Sequence, residues 1–355
     1  MATTAQSGRT GTAFCSVLAR ERGLDPIGLV QGNHYFLLVE TPLPWGRDVY
    51  GTADLPPAVP ELLQRLIRDG YPTRYAKFRP LLFAPDPAYS VAGHRRIIYL
   101  RRPGASTTDP FAPLPDDAPP FAAFARREYV VPEVEADGLC RALFLDPETL
   151  PHYDRWLQET GDVRDFLVCT QGAVDAACAR FGAPLWRRLR QHADASGGAI
   201  RAWRCTHFGH HVCAPTVIEL PSGRYWGFIA EGETRLLAER AGDLASLRGC
   251  YRGWSGYGSP WLQVAEREAM LREGWPWLDF AQTGSVLAEG DIPAGEEAAL
   301  WGEVRLTFTD PATGRTGTYE ARIERAAILT LTLGTGKEDT YPYPQYHVAR
   351  FSRVS

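Results

Sequence analysis

Two short segments of this 355-residue chain each carry two side chains that bind transition metals, and each segment accompanies a predicted strand. In the first segment, Cys169 ends an apolar run and Cys178 follows in a predicted helix. In the second, His207 and His211 come directly after another predicted strand. Neighbouring parallel strands bring the residues at their carboxyl ends to one edge of a sheet. A fold that places these two strands side by side therefore lets all four side chains converge.

The elements predicted around these segments are a strand, helix, strand and antiparallel hairpin. They comprise two strands with two helices between them and then the two arms of the hairpin: 165–169, 174–181, 184–195, 200–205, 216–220 and 225–229. This order is typical of a thioredoxin-like α/β sandwich, in which helices cover a mixed sheet.

The first third of the chain resembles this arrangement. The apolar run 36–41 is similar to 166–170, and each is followed by a predicted helix and strand. A proline-rich segment, 103–120, separates the two regions and favours a linker. We therefore predict an α/β fold with two thioredoxin-like sandwich domains, only the second bearing ligands, and a C-terminal α+β extension: residues 1–125, 126–240 and 241–355.

Charge and hydropathy argue against two classes of partner. The formal net charge is -4, whereas nucleic acids and anionic membranes favour a concentrated basic face. No apolar run reaches the roughly 18 residues of a membrane span, and residues 1–12 show no signal-peptide pattern. We expect a cytoplasmic protein with no nucleic-acid or membrane partner. Its seven cysteines are then thiols or metal ligands rather than a disulfide framework.

Two cofactors suit a set of two cysteines and two histidines. Structural zinc sites usually have about two to four residues between their cysteines, whereas eight residues separate Cys169 from Cys178. A [2Fe–2S] cluster is wider than one ion, and Rieske-type clusters have two cysteines on one iron and two histidines on the other. The spacing favours the cluster, with zinc as the alternative.

Other cysteines and histidines are alternative ligands. Cys205 and Cys213 flank the histidine pair, although a buried thiol is the simpler interpretation of each. His210 is a spare ligand, a proton carrier or a solvated loop residue. The remaining thiols are interpreted as core or surface residues: Cys15, Cys140 and Cys250. The aromatic loop 251–261 is expected to pack against its own domain more readily than to cover a substrate.

The residues around the four candidate ligands also follow a family pattern. The matching residues of the two segments are Cys169, Thr170, Gly172, Asp175, Cys178, Ala179, His207, Gly209, His211 and Ala214. Here the chain resembles the sucrase/ferredoxin-like family, whose members include bis-histidine thioredoxin-like [2Fe–2S] ferredoxins. The resemblance extends to 14–16, 44–48 and 251–253. It implies that Cys169 and Cys178 bind one iron and that His207 and His211 bind the other.

The chain departs from the family pattern beside these ligands. Gln171, Val174 and Ala177 replace a histidine, an arginine and a cysteine, and the second segment differs at Thr206, His210, Val212 and Cys213. The family name also implies a sucrase, but the sequence shows no paired carboxylates placed for glycoside hydrolysis. The four presumed ligands are retained, so the resemblance still implies an iron–sulfur protein.

These observations predict a one-electron carrier whose reduction takes up a proton at a ligand imidazole. The Gly-rich segment 333–337 lacks the spacing of a nucleotide-binding loop, and no dinucleotide fingerprint follows a strand. Electrons are therefore expected to come from a redox partner protein. The alternatives are a redox enzyme that uses the cluster on a bound small-molecule substrate and a cluster-based redox sensor.

Overall fold

The computed structural model describes residues 13–51, 54–70, 77–109, 112–296 and 298–355. The N-terminal segment 1–12, in which no signal pattern was found, lies outside the described residues. The α-helices are α1 Cys15–Glu21, α2 Ala58–Gly70, α3 Ala136–Phe144, α4 Ala176–Ala195, α5 Glu231–Glu239 and α6 Pro260–Glu273. None of the described helices is long and apolar enough to cross a membrane.

The strands form a ten-stranded mixed sheet and a four-stranded antiparallel sheet. Those of the large sheet are β1 Tyr35–Glu40, β2 Phe78–Phe83, β3 His94–Arg101, β4 Ala125–Pro132, β5 Leu157–Gln158, β6 Arg164–Cys169, β7 Ile200–Cys205, β8 Val217–Leu220, β9 Arg224–Trp226 and β10 Tyr251–Trp254. Those of the small sheet are β11 Ala281–Glu289, β12 Trp301–Thr309, β13 Thr316–Thr332 and β14 Thr340–Arg353. The predicted α/β class is confirmed.

The two halves of the large sheet repeat one pairing scheme. Its order is β10-β9-β8-β6-β7-β2-β1-β3-β4-β5. In one half β1 runs parallel to β2 and antiparallel to β3, and in the other β6 runs parallel to β7 and antiparallel to β8. The halves join where Phe83 of β2 pairs with Cys205 of β7. One sheet thus crosses the predicted limit between 1–125 and 126–240, and these domain limits stay a prediction.

The central strands are apolar along their length because both faces of the sheet are covered. All six residues of β1 are buried, as are five of the six residues of β6. Helix α4 packs against β6 and β7 on one face. Strands covered on both faces have nearly continuous apolar sequences instead of alternating ones. Strands β6 and β7 are paired along their whole length, from Arg164 beside Ile200 to Cys169 beside Cys205. Their carboxyl ends therefore lie side by side.

One long helix replaces the two helices predicted between β6 and β7. Helix α4 runs through Pro184, although proline lacks the N–H that would bond to the carbonyl four residues earlier. Leu185, Leu189 and Ala193 are buried along the helix. Burying each of the two leucine side chains contributes about 1.5–3 kcal/mol, so the continuous apolar face stabilises the helix across the proline.

The remaining elements lie at the two edges of the large sheet and in the small sheet. A 3-10 helix, Pro147–Trp156, precedes the edge strand β5. The aromatic segment 251–261 includes β10, and its aromatic side chains are buried, as expected for packing within its own domain: Tyr251, Trp254, Tyr257 and Trp261. In the small sheet, β12 and β13 are flanked by β11 and β14. Helix α6 packs against this sheet and against β10.

Candidate metal centre

Close packing of β6 against α4 brings Cys169 and Cys178 together. Cys169 is the last residue of β6, and Cys178 lies in the first turn of α4. Asp175 caps this helix, because its carboxylate accepts a hydrogen bond from the amide N–H of Ala177 at 2.8 Å. A Cβ at Gly182 would clash with the carbonyl oxygen of Cys169. Glycine at this position therefore allows the helix to approach the strand end.

The ring of His207, which follows β7, lies against both thiols. Its Nδ1 is 3.7 Å from the Sγ of Cys169 and 3.7 Å from the Sγ of Cys178. The amide N–H of His207 donates to the side-chain oxygen of Gln171 at 2.8 Å, and the Gln171 amide nitrogen donates to the carbonyl oxygen of Gly46 at 2.6 Å. Gln171, where the family pattern has histidine, thus holds the backbone of a predicted ligand.

His211, the fourth predicted ligand, lies beside His207 but faces other residues. The two ring centroids are 5.5 Å apart, and the rings are inclined by 38°. The Nδ1 of His211 is 3.4 Å from the Sγ of Cys15 and 3.5 Å from Oδ2 of Asp175. In each of two adjacent groups, the possible ligand atoms lie within 4.8 Å of one another: Cys169, Cys178 and His207, and Cys15, Asp175 and His211.

The backbone between the two histidines turns through the left-handed region. Gly209 has φ 101° and His210 has φ 57°, and glycine adopts such angles at little cost. The turn places His207 and His211 next to each other. It directs His210 elsewhere, to where its Nδ1 lies 3.0 Å from a guanidinium nitrogen of Arg252.

The two cysteines differ in protonation. A hydrogen bond from Cys178 and the nearby His207 lower the pKa of Cys169 to about 5, although burial acts in the opposite direction. The same hydrogen bond and burial raise the pKa of Cys178. The metal-free pair therefore holds one thiolate at neutral pH. Since the thiolate is the ligand form, binding a metal to both sulfurs would release the remaining proton.

Cys15, interpreted from the sequence as a core or surface thiol, is buried in α1 beside His211. Burial raises its pKa to about 11, so the thiol is protonated at neutral pH. Its amide N–H donates to the Thr335 hydroxyl at 3.2 Å. Although burial raises the pKa of Asp175, hydrogen bonds from Thr335 and from the Ala177 N–H hold it below its ordinary value.

Neither Cys15 nor Thr335 was predicted at the site, whereas Asp175 belongs to the family pattern between Cys169 and Cys178. Cys15 and Thr335 are each 160 residues away from Asp175 along the chain, and no motif links positions so far apart. One available signal was the family resemblance at 14–16. Another was the Gly-rich segment 333–337, which resembles part of a nucleotide-binding loop.

The other cysteines lie outside both groups in the described part of the chain. They are all buried: Cys140, Cys205, Cys213 and Cys250. Cys205 is the register partner of Cys169, and burial raises its pKa. Burial also raises the pKa of Cys213 to about 12. Buried thiols of this kind agree with the simpler interpretation of both residues.

Comparison with known proteins identifies the family. A family model described as sucrase/ferredoxin-like matches residues 26–253, which is more than half of the chain. Searches of curated proteins and of solved structures find no match. The matched range contains the four predicted ligands but neither Cys15 nor the four-stranded sheet that carries Thr335. The chain belongs to the sucrase/ferredoxin-like family.

Proposed function

We propose that this protein binds a [2Fe–2S] cluster through Cys169, Cys178, His207 and His211 and transfers single electrons. The proposal depends on one observation, which is that two buried thiols and the Nδ1 of His207 converge while a second imidazole lies alongside. Two thiolates and two imidazoles are the ligands of Rieske-type clusters. The term ferredoxin-like in the family description agrees with this assignment.

The arrangement of donor atoms suits two metal ions better than one. A tetrahedral zinc ion needs four donors around a single point, but the Nδ1 of His211 faces Cys15 and Asp175 and not the two thiols. A two-iron cluster instead needs two pairs of ligands side by side. The rival is zinc on Cys169, Cys178 and His207 alone, because their Sγ–Nδ1 separations of 3.7 Å suit one tetrahedral ion.

When bound, the cluster would supply a centre that accepts and releases one electron. The protein's part is to hold it and to exclude water, since Cys169 and Cys178 are both 1% exposed. A cluster with neutral imidazole ligands is easier to reduce than one with only anionic thiolates, because the ligands add less negative charge. We therefore expect a potential above the plant-type value of about -400 mV, toward the Rieske range of about -150 to +300 mV.

Electron exchange requires an accessible edge of the site. The His211 side chain is 18% exposed, so we expect a redox partner protein to approach there. Uptake of a proton at an imidazole on reduction stays a prediction.

The second candidate function is that of a redox enzyme. A cavity of about 290 Å³ lies against the loop that carries His207 and His210. A carrier needs only an exposed edge of the site, whereas a cavity beside a predicted ligand favours a bound small molecule.

The test is the metal content and spectrum of protein produced with iron and purified without oxygen. We expect a reddish-brown protein with about two irons and two sulfides per chain and an EPR signal on reduction. Cys169→Ala should lose most of the iron, whereas Cys205→Ala should retain it. These residues form a matched pair because both are buried and in register at the ends of adjacent strands. A colourless protein with one tightly bound zinc would overturn the proposal.

A further inference from the structure

A cavity of about 290 Å³ lies between the 207–210 loop, strands β2, β9 and β10, and the segment 29–31. Its polar lining is dominated by nitrogen donors and one hydroxyl, contributed by Gln31, Arg79, His207, His210, Tyr225 and Arg252. In the described residues, no aspartate or glutamate lines this cavity. The cavity therefore offers positive charge and hydrogen-bond donors without an acidic partner.

Arg252 is the main unpaired group in the cavity wall. It is 1% exposed, and its Nε and Nη1 have no hydrogen-bond partner. Its Nη2 lies 3.0 Å from the Nδ1 of His210, which accepts this bond in the neutral imidazole. Within the described chain, no carboxylate oxygen lies within 4.0 Å of the guanidinium nitrogens. Burying a cation without a counter-ion costs several kcal/mol.

Arg79 adds a second guanidinium to the same cavity. One of its terminal nitrogens donates to the Gln31 side-chain oxygen at 2.6 Å, and its buried Nε has no partner. Burial lowers the pKa of Arg252, and the charge of Arg79 lowers it further. Two neighbouring cations thus repel each other in the wall of one cavity.

Other buried arginines in this protein have acidic partners. Arg224 lies 3.2 Å from Glu266, with both side chains fully buried. Arg201 binds Glu128 and Asp165, each at 2.8 Å. Arg252 differs from them in facing a cavity instead of a carboxylate. The proposed cluster would not neutralise the positive charge of Arg252, because two ferric ions, two sulfides and two thiolates sum to zero charge.

We propose that this cavity binds a small oxyanion between the guanidinium groups of Arg252 and Arg79. Guanidinium N–H groups match the geometry of carboxylates and of inorganic oxyanions, and the volume limits the ligand to a small molecule. His207 lines the same cavity, so the bound anion lies beside the candidate metal centre. Anion binding stands apart from the cluster, whereas any effect of the anion on electron transfer rests on the proposed function.

The test is calorimetric titration of the full-length protein, as purified with its metal, at constant ionic strength. Nitrate, sulfate, phosphate and acetate are the probes, and chloride is the control. We expect saturable binding of one anion per chain by at least one oxyanion and not by chloride. Binding of acetate indicates the carboxylate of an organic ligand, and binding of the inorganic probes alone indicates an inorganic anion.

Substitutions locate the site. Arg79→Gln should weaken binding tenfold or more, because the loss of one charged hydrogen-bonding partner exceeds about 1.4 kcal/mol. Arg252→Gln should also weaken anion binding tenfold or more. If this change at a buried residue prevents folding, Arg79→Gln alone tests the site. Arg305→Gln, which removes an exposed arginine of the small sheet, should bind as the parent does.

The absence of saturable oxyanion binding, or binding that Arg79→Gln leaves unchanged, would overturn the proposal. Iron and zinc are measured in the same sample. A zinc protein that binds the anion contradicts only the proposed cluster, and an iron–sulfur protein that does not bind it contradicts only the anion site.

Discussion

Thr335 donates both its amide N–H and its hydroxyl to Asp175, at 2.8 and 2.7 Å. Thr335 lies in the turn between β13 and β14, whereas Asp175 caps α4 and faces His211. The small sheet lies outside the range matched by the family model. It is nevertheless joined to the candidate metal centre by hydrogen bonds to a charged group, which are stronger than those between neutral groups.

Thr335→Val tests this connection, because it removes the hydroxyl donor and keeps the side-chain shape. We expect the free energy of unfolding to fall by about 1.5–3 kcal/mol and the absorption spectrum of the metal centre to change. Thr313→Val is the matched control, since it removes a 2.7 Å hydrogen bond from threonine to Asp310 far from the ligands. Equal spectral effects in the two variants would contradict the connection.

Gly182→Ala tests the close approach of α4 to β6. The added Cβ would clash with the carbonyl oxygen of Cys169, so the helix carrying Cys178 must move. We expect a loss of about 1–3 kcal/mol in unfolding free energy and a lower metal content. Gly232→Ala is the control in another helix, because its Cβ would meet open space. That change should be neutral or stabilising by up to about 1 kcal/mol.

The buried carboxylate of Glu219 should make the folded protein less stable in acid. Burial raises its pKa, but Arg240 and Arg164, each at 2.8 Å, lower it to about 2 from an ordinary value of 4.5. In acid, the unfolded chain takes up this proton before the folded one does. The stabilisation is therefore complete above about pH 4.5 and is lost as the pH falls toward 2.

Glu219→Gln removes the negative charge and leaves Arg164 and Arg240 without this carboxylate partner. At pH 7 we expect the free energy of unfolding to fall by about 3–5 kcal/mol, and the difference from the parent should narrow as the pH falls below 4.5. Denaturant titrations across this pH range measure both effects. Glu320→Gln, in an exposed pair with Arg305, should cost less than about 1 kcal/mol. A difference independent of pH would exclude Glu219 as the titrating group.

Exchanging the two histidines that are predicted as ligands tests the proposed cluster. His207→Cys and His211→Cys should each retain a cluster with a lower reduction potential, because an anionic thiolate stabilises the ferric state more than a neutral imidazole does. Spectroscopic redox titration measures the shift. If Cys205→Ala or Cys213→Ala abolished the cluster and the histidine changes left the potential unaltered, the ligand assignment would be wrong.

The sequence alone was enough to predict the α/β class and the meeting of Cys169, Cys178 and His207. Apolar runs ending in ligand residues show where buried strands stop, and parallel neighbours stop at one edge. The same local reasoning failed at Pro184. A proline suggests a helix end, but here the helix continues because Leu185 and Leu189 are buried on one face. That burial depends on the sheet against which the helix packs.

Tertiary structure alone decided which distant residues surround this edge. Cys15 and Thr335 reach Asp175 from positions 160 residues away on either side, and Arg79 meets Arg252 across the cavity from another strand. Local sequence patterns depend on the periodicity of a single helix or strand. They therefore carry no information on which distant segments pack against the end of that element. The predicted ligands thus lie in two short segments of the sequence, whereas the charges and hydrogen bonds around them come from helices, strands and turns that are distant along the chain.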